Sequence, residues 1–233
     1  MSTGSVIVAG VGPGLGFHIA RCFAEDGFKV AMLARDEAKL RALSRERADL
    51  VPLACDLTQP EALVAAFDRT EMQLGPLTCV VFNAGVFRSG GLAEIDPQDF
   101  EQCWRIGAFA AFLVLQQAAN RMARRGRGTI LITGATASLR GGAGFANFAP
   151  HKFALRALAQ CAARELGPKG IHVAHIIVDG QVQRPGSEAS LATRAADARL
   201  EPAQVAQLYV QLHAQQRSAW THEVDLRPWT EQF

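Results

Sequence analysis

The chain has 233 residues and a mass of 25.0 kDa, enough for one large α/β domain with a sizeable core. Hydrophobic residues make up 49%, charged residues 20% and the net charge is +2, which points away from nucleic acid and from an anionic membrane. Cys22, Cys55, Cys79, Cys103 and Cys161 are odd in number and lack Cys-x-x-Cys spacing, no apolar run reaches the ~18 residues of a membrane span, and no signal sequence opens the chain, so a cytoplasmic protein with free thiols is expected.

Short apolar runs alternate with helix-length segments. Val6 to Ala9 reads as a strand. Gly14 to Asp26 has helical spacing and stops near Gly27. Lys29 to Leu33 is the next strand, and Asp36 to Arg47 the next helix, with Asp36 as its N-cap. Leu50 to Ala54, Thr78 to Phe82, Thr129 to Thr133 and His172 to Val178 read as strands. Helices are expected over Pro60 to Leu74, Pro97 to Arg124 and Asn147 to Leu166, and the Arg121 to Arg127 run reads as a solvated helix end. Pro202 to Gln215 and His222 to Leu226 give a last helix and strand. Strands alternating with helices imply βαβ units. The expected fold is α/β: a doubly wound parallel sheet of about seven strands, helices on both faces, as one body over residues 1–233.

After the first strand comes Gly10-Val11-Gly12-Pro13-Gly14-Leu15-Gly16. Glycines let the backbone approach a pyrophosphate, and the following helix offers unpaired N–H groups and a positive dipole end. Following a strand and opening a helix is the context that gives a glycine pattern weight. The spacing Gly10-x-x-x-Gly14-x-Gly16 resembles that of the short-chain dehydrogenase/reductase family, with Ala9 in place of a threonine. Asp56 after the third strand, Asn83-Ala84-Gly85 after the fourth and Lys152 late in the chain match further family marks in the right order. The resemblance implies a Rossmann-type fold and a nicotinamide cofactor held by Gly10, Gly12, Gly14, Leu15, Gly16, Arg35, Asp56, Leu57, Asn83, Ala84, Gly85, Lys152 and Val182, with Asp56 on the adenine amino group. Where an NAD-preferring relative carries an acid at the end of the second strand, this chain has Ala34 followed by Arg35, a residue suited to a 2′-phosphate. NADP(H) is expected over NAD(H).

The catalytic marks are depleted. In the family a tyrosine gives a proton to the substrate oxygen, a lysine four residues on holds the ribose and lowers the tyrosine pKa, a serine binds the oxygen, and an asparagine positions a water. Lys152 matches the lysine. The tyrosine position is Phe148, the serine position Ala135, and the asparagine position Gly107. The wider spacing of the enoyl reductases puts Phe145 at the tyrosine. Thr136, next to Ala135, is the candidate substitute hydrogen-bond donor and joins Lys152 in the expected catalytic set. Phe145 and Phe148 read either as packing or as an aromatic wall beside the nicotinamide. His151 should point about 100° away from Lys152 on a helix, toward the surface or a subunit contact. No set of histidines, cysteines and acids has metal-site spacing. Asp179 stands where the family has a Pro-Gly turn, and residues 184–200 match its substrate lid.

Two functions follow. One is an NADP(H)-dependent oxidoreductase with an altered proton path, acting on a small-molecule substrate such as an imine or activated alkene. The other is a non-catalytic NADP(H)-binding sensor or assembly protein. The resemblance further implies a homodimer or homotetramer, for which Phe109, Phe112, Leu155 and Leu158 are available, and the aromatic tail from Trp220 to Phe233 is a candidate subunit contact.

Overall fold

Every apolar run read as a strand is one: β1 (Ser5–Ala9), β2 (Lys29–Ala34), β3 (Leu50–Ala54), β4 (Leu77–Phe82), β5 (Gly128–Thr133), β6 (Ile171–Val178) and β7 (Glu223–Leu226). The structure, a computed structural model, describes residues 4–45, 47–183 and 198–231. The helices are α1 (Leu15–Glu25), α2 (Glu37–Ser44), α3 (Pro60–Leu74), α4 (Pro97–Trp104), α5 (Ala110–Arg125), α6 (Ala149–Leu166) and α7 (Pro202–His213). The strands form one sheet in the order β3-β2-β1-β4-β5-β6-β7, parallel at every pairing.

Alternation along the strands sorts the core into two layers. Ile7, Val80, Phe82, Ile130 and Ile132 face Leu63 and Phe67 of α3, Val114 and Met122 of α5 and Leu155 of α6. Val6, Val8, Val81, Leu131 and Ile176 face Ile19 and Phe23 of α1 and Val205, Tyr209 and Leu212 of α7. Helices therefore cover both faces. The chain runs outward from β1 to β3 and then returns to place β4 on the other side of β1. That reversal opens a crevice at the carboxyl ends of β1 and β4, the place where doubly wound sheets bind ligands.

Three helix boundaries and one charged run differ most from expectation, each for a local reason. Asp36 caps α2 by accepting from Lys39 N at 3.0 Å, but the helix stops at Ser44. Arg47 is drawn into the turn instead: its guanidinium binds Asp49 at 2.7 and 2.9 Å and the Ala24 carbonyl at 3.0 Å. The helix from Pro97 is broken by a π-helical turn, Arg105–Phe109, between α4 and α5. α6 begins at Ala149 with Phe148 as its N-cap and Pro150 in the first turn, where a missing N–H costs nothing. The arginine run after Arg121 is not simply solvated: Arg121 pairs with Asp68 and with Glu71 at 3.2 Å, and Arg125 with Glu71 at 2.6 Å, tying α5 to α3.

Candidate functional site

The crevice is a cleft of about 990 Å³. Gly10, Gly12, Gly14, Leu15, Gly16, Arg35, Asp56, Leu57, Asn83, Ala84 and Gly85 all line it, so eleven of the thirteen residues expected at the cofactor are brought together. Gly10 has φ +96, and a Cβ there would overlap the backbone of Ala84, so only glycine fits. Asn83 Nδ2 donates to the Gly10 carbonyl at 3.0 Å and ties the glycine turn to β4. A Cβ on Gly12, by contrast, would meet no protein atom within 4 Å. Gly12 is bare toward open space, as a backbone closely approached by a ligand should be. Gly14 caps α1 without any side-chain bond, and the first turn of α1 has no acid. Phe17 N donates to the Gly12 and Gly14 carbonyls at 3.2 and 3.1 Å, and the N–H groups of Leu15 and Gly16 are left for an anion.

Asp56 sits further along the cleft. Burial alone would raise its carboxyl. Hydrogen bonds from Thr58 N at 2.9 Å and Thr58 Oγ1 at 2.8 Å, with the charges of Arg35 and Arg105, hold it below the ordinary aspartate range instead. All four bonds and charges act on one ionised carboxylate. Thr58 and Arg105 were not singled out from sequence. Thr58 was findable, since a threonine two residues after an aspartate is a common local partner. Arg105, the first residue of the π-helical turn, lines the cleft.

Lys152 stands near the centre of the sheet edge. It is 5% exposed, and Nζ donates to the Thr133 carbonyl at 3.0 Å. A Cβ on Gly85 would lie 3.7 Å from Nζ, which puts the amine at the edge of the cleft. Nζ also lies 5.6 Å from the Phe148 ring centroid. Burial pushes the Lys152 pKa down to about 8. Phe148 packs edge-on against Phe87 at 5.2 Å and lies 6.3 Å from Phe145, itself 5.5 Å from Phe87. Phe87 is 58% exposed and Phe145 36%, so this trio is an open aromatic surface beside Lys152 and not core packing.

Three other expectations are revised. Thr136 donates its hydroxyl to the Asp179 carboxylate, which is buried and approached by Arg227 at 3.4 Å. That hydroxyl is committed as a donor and can only accept from anything else. His151 is not at the surface: it is 1% exposed, with Nε2 3.4 Å from the Val86 carbonyl and its ring edge-on to Phe148 at 5.1 Å. Burial first, and the Lys152 charge second, push it down to about 4, so it is neutral. A Cβ on Gly107 would overlap the imidazole. The space a side chain at 107 would fill is occupied by His151 from α6. Val182 is bridged to Leu200 and does not line the cleft. Of the expected lid, 184–197 falls outside the described residues. The chain's one tyrosine, Tyr209, is buried on α7 with its hydroxyl 2.8 Å from Thr133 Oγ1, and burial pushes its pKa up. Trp220 stacks on His172 of its own chain at 5.0 Å, whereas Trp229 is exposed.

A sequence profile described as short chain dehydrogenase matches residues 5–190. The chain belongs to the short-chain dehydrogenase family. Its relatives include the 3-oxoacyl-[acyl-carrier-protein] reductase MabA of Mycobacterium tuberculosis, 29% identical over 197 residues, covering 84% of this chain and 74% of that protein. The L-2,3-butanediol dehydrogenase of Corynebacterium glutamicum is 30% identical over 173 residues, 70% of this chain and 66% of that one. Among solved structures, a short-chain dehydrogenase from Rhodopseudomonas palustris matches with a TM-score of 0.83 at 37% identity, covering 97% and 98% of the two chains. An alcohol dehydrogenase from Thermococcus sibiricus complexed with 5-hydroxy-NADP has a TM-score of 0.87 at 20% identity, over 98% of each chain, a likeness of fold. As a short-chain dehydrogenase, the protein is an NAD(P)-dependent oxidoreductase. No helix among the described residues is long and apolar enough to cross a membrane.

Proposed function

We propose that this protein is an NADP(H)-dependent oxidoreductase that transfers hydride to a small apolar substrate without a phenolic acid. The observation that carries this is the joint one: a cleft lined by the glycine turn, Arg35 and Asp56 has at its edge a buried lysine beside Phe148, which packs on Phe87 and lies near Phe145. The bare Gly12 and the uncapped start of α1 fit the pyrophosphate. Arg35, with Ala34 in place of an acid, fits a 2′-phosphate. Asp56 takes both Thr58 bonds on Oδ1, leaving Oδ2 to accept from an adenine amino group. The bound nicotinamide supplies hydride. The protein supplies position, the aromatic face and a proton.

Phe148 has no proton to give, and Thr136 spends its own on Asp179. Lys152 is the remaining donor. With a pKa near 8 it is charged at neutral pH, yet is a stronger acid than a free lysine. The aromatic trio suits a flat, apolar substrate, and imines or activated alkenes require less acid assistance than ketones. Exposed Phe112 on α5 and Phe153 on α6 are the residues on which a homodimer or homotetramer would close, whereas Leu155 is fully buried in the chain's own core.

Nicotinamide fluorescence titration with both cofactors tests the first half. NADPH should bind at least about tenfold tighter than NADH, and Arg35→Ala should remove most of that difference, since a charge-assisted pair contributes about 1.5–3 kcal/mol. Equal affinities would refute the preference. A cofactor-oxidation screen over ketones, enones and imines tests the second half. Tight NADPH binding with no turnover in any class would support a non-catalytic NADP(H)-binding protein instead.

A further inference from the structure

Against the Thr133–Gly134 stretch that holds Lys152 lies a buried polar pair that the reaction as described does not use. His175 is in the middle of β6 and is fully buried. Alternation along β6 turns its ring toward the α5/α6 layer with Ile171 and Val173, not toward α7. Nδ1 lies 3.0 Å from Glu223 Oε2 on the neighbouring strand β7. Glu223 is held in turn by Arg156 of α6, which grips both carboxylate oxygens at 2.7 and 2.8 Å. An ionised carboxylate only accepts, so Nδ1 carries the ring proton and Nε2 is a bare acceptor. Nε2 is buried and has no hydrogen-bond partner.

The position of Nε2 is fixed by what it displaces. A Cβ on Gly134 would overlap Nε2 and Cε1, so β5 is followed by a glycine where the imidazole tip comes across. The residue before it is Thr133, whose carbonyl receives Lys152 Nζ at 3.0 Å. One short stretch of β5 thus touches both the amine and the imidazole. Lys152 Nζ has three N–H donors and one protein acceptor in Thr133; His175 Nε2 is an acceptor with no donor. Buried polar groups rarely stay unpaired, and these two complementary groups, both against the Thr133–Gly134 stretch but not bonded to each other, can be joined through one buried water.

We propose that Glu223 and His175 are the positioning pair for Lys152: Glu223 fixes the imidazole tautomer, Nε2 accepts from the ammonium through a bridging water, and the charge of Glu223 reaches Lys152 through the ring. This rests on the reading of Lys152 as the proton donor. The consequence is electrostatic. Among the charged and titratable groups around Lys152, its α6 neighbours are His151, neutral, and Arg156, spent on Glu223. Asp179, after β6, is bound by Thr136 and Arg227, and Arg105, at the α4 end, lies toward Asp56. Among the described residues, Glu223, acting through His175, is the anion placed to stabilise the ammonium in its buried site. Arg156 tempers that charge without cancelling it.

The test reads the titration of Lys152 directly and in turnover. The chain has four lysines, Lys29, Lys39, Lys152 and Lys169, so carbon NMR of lysine labelled at Cε resolves the buried one, and Lys152→Arg assigns it. Glu223→Gln, which keeps shape and a carbonyl acceptor, and His175→Leu should each lower the Lys152 pKa by about one unit, a tenfold change in its acid constant. The falling high-pH limb of kcat should move down by the same amount, with the rate at pH 6 and the NADPH affinity at pH 6 changed less than about threefold. Glu223→Asp should recover part of the shift. An unmoved titration in both variants, or a uniform loss of rate at every pH together with a lower Tm, would overturn the proposal and leave the pair as a fastening between β6, β7 and α6. A shifted titration in a protein that turns over no substrate would instead uphold the pairing and overturn the proposed activity.

Discussion

At the scale of single residues, Phe148, Ala135 and Gly107 were readable in the sequence because each stands at a fixed distance from a recognisable mark. What replaced them was not. His151 looked like a surface residue because helical geometry gives its angle from Lys152 but not what waits there. Only the packed chain shows that Gly107, in the turn between α4 and α5, and His151 share one volume. Gly107→Ala should therefore destabilise the protein by about 1–3 kcal/mol in denaturant unfolding, and a second change, His151→Ala, should relieve most of that. If the two losses simply add, the residues do not compete for space. The missing phenol can be restored in place: Phe148→Tyr with Ala135→Ser should raise ketone reduction by about 10²-fold or more, measured as NADPH oxidation. No gain would mean that the substrate lies away from Phe148.

At the scale of elements, strands were legible because parallel strands covered on both faces are uninterrupted apolar runs, and all seven appear within one residue of their expected bounds. Helix ends were harder. The α4–α5 break keeps apolar spacing, so the pattern before and after it reads as one helix, and a single extra residue per turn leaves no compositional trace. The arginines after Arg121 were misread for another reason: their partners lie on α3, roughly 50 residues earlier. Glu71 gathers Arg121, Arg125 and the Leu77 N–H, and all three side chains are more than two-thirds buried. Glu71→Ala leaves both guanidinium groups short of an acceptor and should cost about 1–2 kcal/mol in chemical unfolding. A change within 0.5 kcal/mol, ~ the surface-mutation range, would show the network to be solvent-compensated.

At the scale of the whole molecule, the titration of the histidines has one direction. His18, His151, His172, His175 and His213 all have pKa values lowered, with burial the leading cause each time. In the unfolded chain these groups take up protons near pH 6.5, and in the folded chain they do so later. Their neutral forms are compatible with the fold above the unfolded pKa, and stability is lost as pH falls toward the folded values. For His151 the window runs from 6.5 to about 4, and its share is about 3 kcal/mol. Calorimetry at pH 7, 5.5 and 4.5 should show Tm falling steadily, and His151→Leu should flatten the fall. A Tm independent of pH over that range would contradict the burial of these rings. The sequence could not foretell this, because a histidine's spacing says nothing about the dryness of its pocket.

The chain leaves the sheet after β6 and comes back before α7 at a single point. Gln183 N donates to the Leu200 carbonyl at 2.9 Å, Leu200 N to the Gln181 carbonyl at 3.0 Å, and Val182 pairs with Leu200 in a parallel bridge. Both ends of residues 184–197 are therefore clipped together before that segment contributes anything. Closing a shorter loop between ends already held in register adds little entropy cost. With its flanks joined at Gln181–Gln183 and Leu200, replacing 184–197 with a short Gly/Ser linker, or with the equivalent stretch of a relative, should leave NADPH affinity and Tm close to those of the parent, and a change in which substrates turn over would support the proposed lid.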